Sequence, residues 1–354
     1  MFGSVVAPVL IPRYLSSPRF VLFGAAAMHC LFAASINLGP TALLVCSAGV
    51  GFSASFLWLQ QGLYVTGVSQ RAGGKIGKLT SIFFGIFNIN MVIGNLISLV
   101  IESVGSAPTT VIWALTVIAG VAGVAFLAIP NLPPAKVSGL NAPSSLPRTD
   151  QSRSTIASNG PSVSLLAVCR AAPMRNLAPI IIFSGAFVTF IFGTLPIIAD
   201  PLAKSISIHI ALAFVSYGVA AALGAFVWGR LFDWRGPRAI LYAQLAIGSV
   251  AFILFLAVLI HGPNASLFPV VMVASALCGA LETATTTLIN TCISVYVRPL
   301  MSHKDSAIAA AFSLYRILYC CGFVFVSLVT AAVPREQVVA RAAARAQRVQ
   351  GQLL

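Results

Sequence analysis

Nine stretches of about 20 or more residues, each nearly free of charge, limit what this chain can become. About 20 apolar residues in a helix cross the hydrocarbon core of a bilayer. The stretches fall near 20–36, 41–67, 79–101, 109–130, 177–199, 206–228, 239–260, 267–297 and 307–333. Residues 2–12 form a tenth apolar segment, too short to cross by itself. Only 8% of the 354 residues are charged and mean hydropathy is +0.97, so no soluble domain of this length would stay dispersed. In lipid every backbone polar group needs an internal partner, so spans of this length are helical. The expected fold is an all-α polytopic membrane protein with about nine full spans and one partial span. No charged region precedes residues 2–12 and no small-residue cleavage site follows them, so no cleavable signal peptide is expected.

A formal net charge of +14 first suggests nucleic acid, but its distribution points to topology instead. When successive spans alternate in direction, fifteen Lys and Arg residues, from Arg13 and Arg19 to Arg298 and Lys304, fall on one side. The loops of the other side receive only Lys204. The positive-inside rule makes the fifteen-charge side cytoplasmic, in the plasma membrane or an endomembrane. The basicity then serves orientation and attraction to anionic lipid, and no nucleic-acid partner is expected. The sequon at Asn264 falls on the outer side, in agreement. The basic tail 334–354, with Arg335, Arg341, Arg345 and Arg348, falls outside by the same alternation. The preferred resolution is that a span is missing before it. The seven cysteines lie mostly within spans and form no C-x-x-C, so no disulfide framework, zinc site or other metal is expected.

The chain divides at a segment rich in Pro, Ser, Asn and Arg, residues 131–176, which reads as a disordered cytoplasmic linker. A first-half bundle (1–130) precedes it, and a second-half bundle (177–333) and the tail follow. The halves echo each other. "SPRFVL" at 17–22 matches "GPRAIL" at 236–241, and Gly94 in "FNINMVIGNLISLV" matches Gly322 in "YRILYCCGFVFVSLV" at a similar offset. The strongest local signal is "GRLFDWRGPRAIL", from Gly229 to Leu241. Gly229, Leu231, Asp233, Gly236 and Arg238 fit the pattern G-x-L-x-D-x-x-G-x-R, the loop signature of the major facilitator superfamily. A tight turn at Gly236 would hold the Asp233 carboxylate near the basic residues Arg230, Arg235 and Arg238 at the helix ends. In the superfamily this cluster latches one conformation. The bland alternative is a basic loop obeying the positive-inside rule. The matching first-half loop, "PRYLSSPRF", lacks the Asp and the Gly, so any latch there is degenerate.

Polar residues inside spans carry the rest of the information. On a helix, Trp58, Gln61 and Tyr64 share a polar-aromatic arc, with Gly51, Ser55 and Gly62 on a neighbouring small-residue arc. Such a face must look into the bundle, either as a cavity lining or as glue between helices. Asn88 and Asn95 lie seven apart on one face of the next span. Glu282 and Arg316 are charges deep in the second half, where an unpaired charge is costly. The preferred reading pairs them with each other. The sharper one has Glu282 taking and releasing a proton during transport. "GGKIGK" fails the P-loop pattern, and no hydrolase, metalloprotease or kinase motif occurs. No enzymatic activity and no cofactor are expected.

"LWLQQGLYVTGVSQ" resembles the L-W-x-x-Q-G-x-Y-x-T signature of the Unc-ninety-three-like family, known as ion channel regulatory proteins, a branch of the major facilitator superfamily. Leu57, Trp58, Gln61, Gly62, Tyr64 and Thr66 match it. Phe84 to Phe87, Ile93 to Asn95 and "AAFSLYR" ending at Arg316 are also similar to the family, over residues 2 to 333 in all. The resemblance implies a major-facilitator-like bundle of two pseudo-repeats, with the full spans numbered three to eleven and spans one, most of two, and twelve missing. It implies a non-enzymatic protein that binds and regulates another membrane protein, a channel or a receptor. Family members are associated with potassium-channel regulation and with receptor trafficking. The alternatives are a proton-coupled carrier of a small solute, with Glu282 as the coupling site and Gln61, Tyr64 and Asn88 as cavity ligands, and a truncated product without function.

Overall fold

The computed structural model describes residues 3–4, 6–7, 17–71, 76–105, 107–130, 164–199, 206–261, 265–297 and 304–332. Among them nine helices are long and apolar enough to cross a membrane, and there is no strand. They are α1 (Pro18–Ser35), α2 (Pro40–Arg71), α3 (Ile76–Ser103), α4 (Pro108–Ala125), α5 (Ala172–Ala199), α6 (Ile206–Arg235), α7 (Pro237–His261), α8 (Phe268–Cys292) and α9 (Lys304–Ala332). A π-helical turn, Ile293–Val297, extends α8. Residues 3–4 and 6–7 are helical, and the Ser4 hydroxyl donates to the Ser55 hydroxyl on α2 at 3.1 Å. The tail 334–354 and the sequon at Asn264 lie outside the described residues.

Proline and glycine set the helix ends. Pro18, Pro108 and Pro237 stand in first turns, where the missing N–H has no intrahelical partner to lose. Several helices run past the apolar stretches that announce them. α3 starts at Ile76 and α6 continues to Arg235, because charged residues such as Lys78 and Arg230 remain helical once they leave the hydrocarbon. The segment before α5 is also more regular than its composition suggests. Helical structure begins at Leu165–Arg170, where the Ser164 hydroxyl accepts from the Leu166 N–H at 3.1 Å, and resumes at Ala172. The expected boundary at 177 therefore moves back. Residues 131–163 of the expected linker lie outside the described residues.

In the first half, α1 packs on α2 and α4. α3 instead makes the most extensive contact in the molecule with α6 of the second half. α6 packs in turn on α8, α8 on α7, and α9 on α5. Small residues permit these approaches. A Cβ on Gly322 would collide with the Ile182 carbonyl of α5, and one on Gly279 with the Tyr217 carbonyl of α6. Half of the α8 span (50%) is buried against 11% of α4, which makes α8 the central helix and α4 a peripheral one. Exposed Val121, Leu223, Phe252, Leu259 and Phe325 form the kind of apolar exterior that lipid covers.

Candidate functional site

The two halves meet along a line that starts at the ends of the helices on the linker side and runs inward. At its outer limit stands the loop signature between α6 and α7. Gly236 adopts φ +75, and its N–H donates to the Phe232 carbonyl at 2.9 Å, closing α6 in a left-handed turn that an L side chain would strain. Pro237 then starts α7. This turn leaves Asp233 at the edge of the helix, facing the N-terminus of α3. One Asp233 carboxylate oxygen accepts from the Gly77 N–H at 3.2 Å, the other from the Lys78 N–H at 3.0 Å. The first turn of a helix carries unsatisfied N–H groups and a partial positive charge, and a carboxylate satisfies both. The carboxylate of the second half thus caps a helix of the first. Its partners are backbone N–H groups, not the basic side chains expected of the loop. Arg230 and Arg238 are exposed, and the Arg235 guanidinium lies 4.0 Å from the centre of the exposed Trp234 ring.

One turn before Asp233, Gly229 brings α6 onto α3. A Cβ at Gly229 would overlap the Ser81 hydroxyl and the Gly77 carbonyl, and a Cβ at Gly77 would reach 2.6 Å from the Gly229 carbonyl. The Ser81 hydroxyl donates to the Gly77 carbonyl at 2.6 Å, which keeps it off lipid. On the other flank, the Thr66 and Ser294 hydroxyls are 2.9 Å apart, joining α2 to the turn after α8. A Cβ at Gly62 would come within 2.9 Å of the Phe312 ring of α9.

About three turns deeper lie the polar residues of the spans. The Arg316 guanidinium carbon of α9 sits 4.4 Å from the centre of the Trp58 ring on α2, 4.5 Å from that of Tyr315 and 5.6 Å from that of Tyr319. Trp58 also meets Phe87 of α3 edge-on, with ring centres 5.2 Å apart. Asn88 of α3 is buried, and its amide donates to the Phe84 carbonyl at 2.8 Å and to the Thr283 hydroxyl of α8 at 3.2 Å. Residues 1–333 match the family described as ion channel regulatory protein UNC-93. The chain belongs to that family.

Two comparisons add to the UNC-93 assignment. The chain is 27% identical over 118 residues to UNC93-like protein 3 of Arabidopsis thaliana, which is 31% of this chain and 25% of that protein's length. Its fold is similar to that of the E. coli fucose:proton symporter FucP, with a TM-score of 0.59, 14% identity, and coverage of 98% of this chain and 82% of FucP. It is therefore a multi-pass membrane protein of an ion channel regulatory family, built as a major-facilitator-like bundle of two pseudo-repeats.

Within this UNC-93 chain the residues singled out by sequence separate. The preferred Glu282–Arg316 pair is not a direct one. α9 packs mainly on α5 and α8 on α6 and α7, so the two charges come within electrostatic reach of each other but form no ion pair. Arg316 turns to Trp58, and Glu282 accepts from the Thr286 hydroxyl one turn along its own helix at 3.2 Å. Tyr64 departs from the Trp58 cluster, its hydroxyl donating to the Pro130 carbonyl at 3.4 Å. Asn95 does not cross to another helix either: its amide donates to the Met91 carbonyl at 2.7 Å. Gln61 is buried with its amide oxygen accepting no hydrogen bond, and so is Gln60. Gly77, Ser81 and Thr283 belong to the interface and carry no motif of their own. Asp233→Ala should cost the cap about 1 kcal/mol, roughly a five-fold shift toward separated halves. With cysteines at the exposed positions Lys78 and Arg230, crosslinking yield should fall accordingly, and Asp233→Asn should lie between.

Proposed function

We propose that this protein acts by binding another membrane protein and regulating its activity or location, through an apolar groove on α3. The observation that carries the reading is an asymmetry between the repeats. Gly322 on α9 receives α5, whereas its sequence counterpart Gly94 on α3 has nothing within 4 Å of its Cβ position. Beside Gly94, the residues Ile93, Leu96, Ile97, Val100 and Ile101 line an open, wholly apolar groove. A helix laid there as α5 lies on α9 would bury Ile93, Leu96 and Val100, which are exposed. The occupant is an apolar transmembrane helix of a partner, approaching closely over the glycine. On this reading the linker side is cytoplasmic and the contacts between the halves hold the α3 groove in place.

A photo-crosslinking residue at Leu96 tests the reading in native membranes. It should yield one discrete adduct with a membrane protein, lost on Gly94→Leu, while the same probe at lipid-facing Leu259 yields none. A channel or receptor in the adduct supports the reading, and lipid-only adducts at Leu96 overturn it. Solute flux in liposomes that depends on a proton gradient and disappears with Glu282→Gln would favour a carrier instead.

A further inference from the structure

The turn between α6 and α7 carries more positive charge than the contact between the halves uses. Both carboxylate oxygens of Asp233 are taken by the Gly77 and Lys78 N–H groups. Arg230, Arg235 and Arg238 stand exposed around the same turn, and among the described residues no ion pair engages any of them. Three guanidinium groups therefore face outward beside one carboxylate that is already committed to α3.

The residues around them place the cluster at a membrane surface. On α6, Leu223, Val227, Arg230 and Trp234 are exposed at spacings of three and four, so one outward stripe passes from apolar residues into an arginine and a tryptophan. On α7, Arg238 begins an outward stripe that continues through Tyr242, Leu245, Phe252 and Leu259. Both lipid-facing stripes thus end in arginine on either side of Gly236, at the depth of the headgroups. Trp234 is 74% exposed there, with the Arg235 guanidinium 4.0 Å from its ring centre. An open indole suits the membrane interface, where its ring meets acyl carbons and its N–H meets water. Trp228 on the same helix is the contrast: it is buried, and its N–H donates to the Ala280 carbonyl at 2.9 Å. Arg170 and Arg175, before and within the start of α5, are also exposed, but no aromatic residue stands beside them.

We propose that the α6–α7 turn is a seat for one anionic phospholipid of the linker-side leaflet, its headgroup phosphate held by Arg230, Arg235 and Arg238 and its acyl chains against Val227 and Leu223. Guanidinium forks match phosphate oxygens in pairs, and the Asp233 cap removes the one nearby carboxylate that would compete for them. The seat is a defined site, distinct from the diffuse attraction of any basic surface to anionic lipid, and it is independent of the groove on α3.

The test reads lipid binding to the full chain by native mass spectrometry after mild delipidation in a neutral detergent. Phosphatidylserine and phosphatidylcholine with the same acyl chains are titrated in turn. The protein should hold one phosphatidylserine in preference to phosphatidylcholine. Each arginine near the surface contributes about five-fold, so Arg230→Gln, Arg235→Gln and Arg238→Gln together should weaken this binding on the order of a hundred-fold. Arg238→Gln alone should weaken it about five-fold, and decides the matter if the triple variant is unstable. Arg170→Gln combined with Arg175→Gln should leave it unchanged. Melting midpoints in phosphatidylcholine should match across these variants, which separates loss of lipid from loss of fold. Glycerophosphoserine, the same headgroup without acyl chains, should not compete; equal competition would make this a site for soluble phosphates and overturn the lipid assignment. The proposal also fails if phosphatidylserine binds no better than phosphatidylcholine, if folded arginine variants of the turn bind as the unmodified protein does, or if the Arg170 and Arg175 changes weaken binding as much.

Discussion

Gly229→Leu is expected to force the linker-side ends of α3 and α6 apart and to lower stability by about 3 kcal/mol. At this crossing the obstacle is partly backbone. A Cβ on Gly229 meets the Gly77 carbonyl as well as the Ser81 hydroxyl, and a main-chain oxygen cannot rotate away as a side chain can. The effect compounds, because Asp233 lies one turn beyond Gly229 and its two bonds to Gly77 and Lys78 require the same close approach. Wedging the crossing therefore also uncaps α3. The melting temperature should fall by several degrees, and crosslinking between cysteines at Lys78 and Arg230 should drop by more than with Asp233→Ala alone. Gly24→Leu is the control, since nothing lies within 4 Å of its Cβ position. Equal behaviour of the two leucine variants would mean that α3 and α6 do not meet this closely in the membrane.

The nine spans are legible in the sequence because membrane insertion depends on a summed property, hydropathy over a window, which survives ignorance of partners. The loop signature is legible for a related reason: its glycines and carboxylate are needed at fixed local spacing. What the pattern does not carry is the other side of the contact. The cap on α3 uses backbone N–H groups 155 and 156 residues away, and a backbone donor leaves no mark on residue identity. The same reasoning separates Asn88 from Asn95. Both sit on one face of α3, but only Asn88 is at the depth where α8 presents Thr283. A helical wheel gives the direction of a side chain and the position of a residue gives its depth. Neither says which helix stands opposite.

That limit explains the reassignment of Arg316 and leads to a measurable ranking. If Trp58 is the principal neighbour of Arg316, then Trp58→Ala should be among the most damaging single changes in the first half, at about 3 kcal/mol or more. It removes the ring 4.4 Å from the guanidinium and the edge-on contact with Phe87, so it uncouples α2 from both α9 and α3. Part of that cost is simple loss of volume. Trp58→Phe separates the two, because it keeps an aromatic face of weaker quadrupole and much of the packing, and should cost about 1 kcal/mol. The interaction itself follows from a double-mutant cycle of Trp58→Ala with Arg316→Met, where a coupling of about 1–2 kcal/mol is expected. Glu282→Gln should cost less than either tryptophan change, since it breaks no ion pair with Arg316 and glutamine can still accept from Thr286. Had the two charges been direct partners, neutralising one would strand the other inside the bundle and reverse this order. Melting temperatures of the four single variants in one lipid system decide between the two orders.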